Sequence, residues 1–224
     1  MEKIQQGGGV HLNRKKMRWI AAAVLAVLAV GVLYRCCAKP GYTAEHFNIP
    51  TYRSEHDEDG DGVDDQTDVL QGAKDYVKTK PKYKSEYYEG GYPDDGYGVC
   101  TDVVGQAMRA AGYDLRELVD ADIRKNPAAY GIDRPDDNID FRRVPNLNVY
   151  FQHTAISLTT DVSDIAQWQG GDIVVFPRHI GIVSDRRNAD GVPYVIHHAS
   201  PAQRRYEEDI LSNWDTVTGH YRVS

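Results

Sequence analysis

The longest uninterrupted apolar stretch runs from Trp19 to Tyr34, 16 residues without a charge (WIAAAVLAVLAVGVLY), directly after Arg14, Lys15, Lys16 and Arg18. At about 1.5 Å per residue a helix over it spans ~24 Å, somewhat less than a ~30 Å hydrocarbon core, and Met17 with snorkelling basic flanks can close the gap. The pattern predicts a cytoplasmic basic tail over 1–18, one transmembrane signal-anchor over 19–35 and export of everything that follows, because basic flanks stay on the cytoplasmic side. Cys36 and Ala38 also form a small-x-small pattern, which leaves cleavage after Ala38 open. Leu33, Tyr34 and Arg35 do not resemble a lipidation signal before Cys36.

Beyond this stretch, residues 36–55 carry Pro40, Gly41 and Pro50 without periodicity and read as a linker or surface wrap. Val69, Leu70, Ala73, Tyr76 and Val77 fall at helical spacing and predict a helix over 66–79. Tyr83 to Gly98 is rich in Tyr, Gly and Asp and reads as a loop. Val103, Val104, Ala107, Met108 and Ala111 form one apolar face of a helix that opens at Cys100 and stops at Gly112. A short helix is expected over 115–125. The period then changes: Asp172–Phe176, Ile180–Val183 and Tyr194–Ile196 are short β-branched runs between Gly, Pro and Asp, and they predict antiparallel strands. Asn188, Asp190 and Gly191 suit a hairpin connection. Residues 219–223 add an edge strand. Residues 56–224 therefore form one α+β domain, with helices packed on a small antiparallel sheet.

Charge changes this picture. The chain carries -7 overall, yet residues 1–38 carry six basic groups against Glu2, so the remainder stands at -12. Nucleic acid and anionic lipid call for clustered Lys and Arg, and so acidic a domain excludes both as its main ligand. Peptides, sugars and cations fit better.

Cysteine placement points to chemistry. Cys36 and Cys37 lie at the membrane boundary, which leaves Cys100 alone in the exported part without a disulfide partner. A small buried core residue is the plain alternative. As the first residue of a helix, however, Cys100 sits where unpaired N–H groups and the helix dipole favour a thiolate nucleophile. His179 opens a strand directly after another strand, with Gly181 leaving room on the same face, and is the expected general base. His197 and His198 end the next strand, and since neighbours alternate faces only one of them can orient that base. Tyr92 or Tyr97 in the preceding loop would join the Cys100 backbone N–H in an oxyanion site, and Arg142 or Arg143 would clamp a substrate carboxylate or pair with a structural Asp. Trp168 and Trp214 are expected as core or sheet-covering aromatics.

The combination GVCTDVV, GDIVVFPRHIGIVSD and VIHHAS resembles the NlpC-type cell-wall peptidases of the papain-like superfamily. The wider set DGDGVDDQTDVL, YYEGGYP, GVCTDVV, NIDFRRVPNL, HIGIVSD and GHYR, over roughly 57–223, resembles the bacterial family DUF1287. The resemblance implies a papain-like fold and amide hydrolysis in peptidoglycan peptides, with Cys100, His179 and His197 or His198 as catalytic residues. Phe141 stands where the family pattern has His, which argues against an imidazole there. His198 stands where it has Asn, which favours His197 as third member.

Finally, Asp57, Asp59, Asp61, Val63, Asp65 and Asp68 occupy positions 1, 3, 5, 7, 9 and 12 of a calcium loop, with Gly62 at position 6. A structural Ca2+ is expected, whereas Asp64 at the usually apolar position 8 departs from the pattern, and a solvated acidic turn is the alternative. Two other functional classes remain: a non-catalytic, calcium-dependent envelope-binding module, and a zinc hydrolase using Cys100, His179 and a later His.

Overall fold

The computed structural model describes residues 16–17, 19–21, 23–25 and 41–223. The chain divides into two compact units, Met1–Pro40 and Gly41–Ser224. In the first, the described residues are helical. Most of the anchor expected over 19–35, with Cys36 and Cys37, lies outside the described residues, among which no helix is long and apolar enough to cross a membrane.

The second unit is α+β. Helix α1 (Asp65–Lys78) starts where the Asp64 side chain accepts the Thr67 N–H, and α3 (Leu115–Lys125) starts where Asp114 accepts that of Arg116, so both first turns have a side-chain acceptor for an otherwise unpaired donor. Between them, α2 (Cys100–Ala110) begins at the candidate nucleophile. A single turn, α4 (Pro127–Tyr130), and α5 (Val144–Thr154) complete the helical layer. The sequence pattern did not predict α5. Its Asn146 and Asn148 dilute the periodicity, but Pro145 suits a first helical turn and Leu147, Tyr150 and Phe151 are buried.

Six antiparallel strands form the main sheet, ordered β3-β8-β4-β5-β6-β7: β3 (Ile156–Ser157), β4 (Ile173–Phe176), β5 (His179–Arg187), β6 (Pro193–Ile196), β7 (Glu207–Glu208) and β8 (Gly219–Arg222). The expected edge strand over 219–223 is in fact interior, because β8 pairs with both β4 and the two-residue β3. Within the supposed loop 83–98, Tyr83 and Gly98 belong to a second, two-stranded parallel sheet, β1 (Lys82–Tyr83) and β2 (Tyr97–Gly98).

Both faces of the main sheet are covered, which accounts for its continuous apolar runs. Ile173, Val175, Ile180, Ile182 and Ile196 pack into the core shared with α1, α2 and α5. Val174, Phe176, Val183 and Val195 face the other way, onto Trp168, Ile210 and Leu211. Residues 41–55 wrap the surface of this unit: Tyr42 and Arg187 exchange two backbone hydrogen bonds of 2.9 and 2.7 Å, and Tyr52 lies under the Arg222 guanidinium.

The Gly171-Asp172 pair leading β4 has a packing cause. Gly171 has φ +94° and would place a Cβ 2.4 Å from the Gln66 carbonyl oxygen, so no side chain fits. Asp172 is fully buried and accepts hydrogen bonds from Gln66, the Gln169 N–H, His220 and Arg222. Gly171→Ala should therefore cost on the order of 2 kcal/mol or more in urea unfolding. Gly60→Ala, also at positive φ but with open space around it, should cost about 1 kcal/mol.

Candidate active site

The start of α2 is held by a buried ion pair. Asp102 accepts the Val99 N–H at 2.7 Å, and the Arg142 guanidinium grips the same carboxylate at 2.7 and 2.9 Å. Arg142 also donates to the Glu86 carbonyl and lies over the Tyr88 ring. Arg142 is thus committed to the scaffold, with its side chain only 2% exposed, and cannot clamp a substrate. The ion pair fixes the first turn of α2 and with it Cys100, a free, half-buried thiol.

The Cys100 sulfur lies against the backbone N–H groups of Ile180, Thr101 and Cys100 itself. Ile180 follows His179, so the thiol stands beside the first residues of β5. His179 is buried on the sheet face of its partner Phe176, the face away from α2, and among the described residues no hydrogen bond joins its imidazole to the Cys100 sulfur. Its Nε2 is 2.9 Å from Nδ1 of His197, and the half-exposed Trp214 covers both rings, with centroid separations of 5.1 and 5.5 Å. His197 Nε2 is in turn 3.2 Å from a Glu208 carboxylate oxygen. Gln203 donates its amide to that carboxylate at 3.1 Å and to the His197 carbonyl at 3.2 Å.

His197 Nε2 also lies 3.3 Å from the Gln203 amide nitrogen, so its tautomer depends on which neighbour it serves. With Glu208, which accepts only, it gives its Nε2–H and leaves Nδ1 as an acceptor. His179 then donates Nε2–H to His197, and its Nδ1 keeps the lone pair a base requires. His198 points to the other side of the sheet, between the Tyr83 and Tyr206 rings at 5.2 and 5.0 Å, and its buried Nδ1 has no partner.

Of the tyrosines, Tyr92 gives its hydroxyl to Asp114 and packs its ring on Phe141, whereas Tyr97 lies under the Lys82 and Lys84 ammonium groups. Neither is directed to the thiol. The one beside it is Tyr83, whose hydroxyl is pushed up by burial and by the neighbouring Cys100. The two-residue pairing of Tyr83 with Gly98 puts it there, and a bridge that short leaves no periodic signal in sequence.

Burial pushes the Cys100 thiol up to about 11, outweighing the three N–H groups that lower it. Burial also takes His179 down to about 4 and, with the two neighbouring imidazoles adding, His197 down to about 3. The resting pair is therefore neutral thiol and neutral imidazole rather than the thiolate expected from the helix start, because desolvation exceeds the stabilisation from one helix terminus.

In the acidic loop, Asp57, Asp59 and Asp61 bring carboxylate oxygens within 4.8 Å of one another. Asp57 accepts the N–H groups of Gly60, Asp61 and Gly62, and Gly62 has φ +93°. A buried oxygen of Asp68 has no partner. Asp65 turns inward instead, to the Glu58 N–H and the Tyr113 hydroxyl. Among the described residues this acidic trio is the one group with metal-ligand spacing; Cys100 and the histidines do not form such a group.

A family model described as a domain of unknown function, DUF1287, matches residues 70–223. The chain is 42% identical over 151 residues to the uncharacterized protein YijF of Escherichia coli strain K12, covering 63% of this chain and 72% of the relative. No solved structure matches. The acidic loop lies before the matched region.

The depressed histidines, His179, His197 and His198, make stability depend on pH. Between about 6.5 and 4 the unfolded state binds protons at His179 that the fold does not, so this contribution is complete above pH 6.5 and is lost as pH falls towards 4. Urea unfolding should lose on the order of 1 kcal/mol per pH unit per histidine across that window, and His197→Asn should make the dependence shallower.

Proposed function

The chain belongs to the DUF1287 family, and we propose that it is an extracytoplasmic cysteine hydrolase of NlpC-like, papain-like design that cleaves amide bonds in cell-wall peptides. The observation that carries this reading is a free thiol at the start of α2 lying against the Ile180 N–H, one residue along β5 from His179, whose Nε2 is 2.9 Å from His197 Nδ1. A nucleophile, a base and a group orienting that base are the parts covalent amide hydrolysis requires.

In the proposed reaction Cys100 gives its proton to His179, whose side chain must turn from the Phe176 face to reach the sulfur, as sulfur bonds to the substrate carbonyl carbon. The carbonyl oxygen takes the negative charge, facing the Cys100 N–H and the Tyr83 hydroxyl. His179 returns the proton to the amide nitrogen, the C–N bond breaks, the amine leaves and a thioester remains. Water then gives a proton to His179 and its oxygen to the acyl carbon, and the departing sulfur recovers that proton. The neutral resting pair makes proton transfer part of the attack, so His179 acts as a general base and not as half of a preformed ion pair.

Location and calcium belong to the same proposal. The apolar segment 19–35 with its basic flank anchors the protein in the cytoplasmic membrane with the domain outside, where peptidoglycan is the amide-bearing polymer at hand. Asp57, Asp59, Asp61, Asp68 and the Val63 carbonyl would hold Ca2+, which would brace the turn before α1; the unpartnered Asp68 oxygen supports this set.

Full-length protein incubated with purified muropeptides should release products with one amide hydrolysed, read by mass spectrometry. Cys100→Ala should abolish release and His179→Ala should reduce it by roughly a hundredfold or more; unchanged release in Cys100→Ala would end the hydrolase reading. Calcium at about a hundredfold excess over its Kd should stabilise the fold by ~2–3 kcal/mol. An Asp57→Asn, Asp61→Asn double variant should lose that gain, and absence of any shift in the wild type would remove the metal from the proposal.

A further inference from the structure

A cavity that nothing so far has used is lined by chain neighbours of the segments holding the candidate nucleophile and base. It has a volume of about 580 Å3, and its walls include Arg134, Asp140, Arg143, Asn146, Pro177 and Arg178. One wall is the segment from Arg142 into α5, and the Arg142 carbonyl accepts the Thr101 hydroxyl at 3.3 Å, one residue from Cys100. Another is the β4–β5 turn, where Arg178 immediately precedes His179. The cavity is thus linked to His179 by one peptide bond and to the start of α2 by one hydrogen bond.

The charge on these walls runs against that of the domain. Three guanidinium groups meet a single carboxylate in a part of the chain that otherwise carries a large negative excess. Among the described residues Arg134 and Arg178 have no hydrogen bond or ion pair. Arg143 reaches only to 3.7 Å from Asp140, with its side chain 59% exposed. Asp140 is partly used already: it accepts the Asp136 N–H at 2.7 Å. Asn146 donates to the Asp140 carbonyl, so the acid and the amide shape the wall while the arginines present unspent donors. Guanidinium groups suit planar, bidentate oxyanions, and clustering them costs mutual repulsion that an anionic occupant relieves.

We propose that this cavity is a subsite for a carboxylate, and that the hydrolase takes peptides bearing a free carboxylate close to the scissile amide. The inference rests on the hydrolase reading, because the cavity gains its meaning from Cys100 and His179. It also separates the two adjacent arginines the sequence offered as clamps: Arg142 holds α2, and Arg143 faces the occupant together with Arg134 and Arg178. The acidic remainder of the domain would repel an anionic peptide elsewhere and leave this opening as the favoured approach.

Alkylation of Cys100 in the full-length protein tests the proposal without a known substrate. Iodoacetate carries the carboxylate and iodoacetamide is its neutral counterpart, and peptide mapping by mass spectrometry reads Cys100 separately from Cys36 and Cys37. The ratio of the two rates cancels changes in intrinsic thiol reactivity. Arg178→Gln and Arg143→Gln should each lower the iodoacetate-to-iodoacetamide ratio, and the double variant should lower it by roughly tenfold, as expected for loss of a charge-assisted hydrogen bond. Raising ionic strength should lower the wild-type ratio as well. A ratio unchanged in the double variant overturns the subsite. N-acetyl-alanine should slow the iodoacetate reaction more than its carboxamide or inorganic phosphate at matched ionic strength; equal or stronger slowing by phosphate overturns the carboxylate assignment. His179→Ala reports on the underlying reading: an iodoacetamide rate equal to that of the wild type would remove His179 as base, whatever the arginine variants do.

Discussion

The buried carboxylate of Asp172 is the constraint on which the rest of the domain depends. It lies at the head of β4 and takes hydrogen bonds from α1 through Gln66 and from β8 through His220 and Arg222. Trp168 lies flat on His220 at 3.7 Å, closing the site to water. A carboxylate removed from solvent must be fully compensated, and losing one partner of such a pair costs roughly 3–5 kcal/mol. The two donor elements, α1 and β8, are therefore locked to one position relative to β4. The register of β4 against β8 and β5 follows, including the Val183 N–H to the Asp172 carbonyl at 2.7 Å, and so does the placement of the β4–β5 turn that delivers His179.

A second buried pair does the same for the other half of the site. Asp102 and Arg142 fix the first turn of α2, as Asp172 fixes the sheet. Cys100 and His179 thus come from two elements, each set by its own internal ion pair, and the apolar core between them fixes their separation. The N–H of Ile180 against the sulfur marks where the two halves meet. Rigid elements with compensated charges suit a site whose groups must be held to a fraction of an ångström.

The elements carrying strong period were legible in sequence. The Val103, Val104, Ala107 and Met108 face and the Ile-Val-Val-Phe run have one structural solution each, and α2, α3, β4 and β6 lie within a residue or two of the patterns that announced them. What escaped depends on contacts distant in sequence. Helix α5 is diluted by asparagines, and β8 becomes interior because β3, a two-residue strand with no pattern of its own, covers its flank. The same holds at the site. Cys100, His179 and the histidine pair were conspicuous as residue types, and strand alternation separated the faces of His197 and His198, but the contribution of Tyr83 and the commitment of Arg142 to Asp102 are matters of pairing that no local spacing encodes. The ionisation of Cys100 could not be read from its place on a helix either, since burial, a property of the whole fold, decides it.

The double hydrogen bond between Tyr42 and Arg187 has a mechanical meaning. It clips the first residues of the domain to the far end of β5, a strand of nine residues that begins at His179. At about 3.3 Å per residue that end lies roughly 26 Å from the histidine. The clip and His179 thus stand at opposite ends of one strand, with the β5 hydrogen-bond ladders to β4 and β6 lying between them.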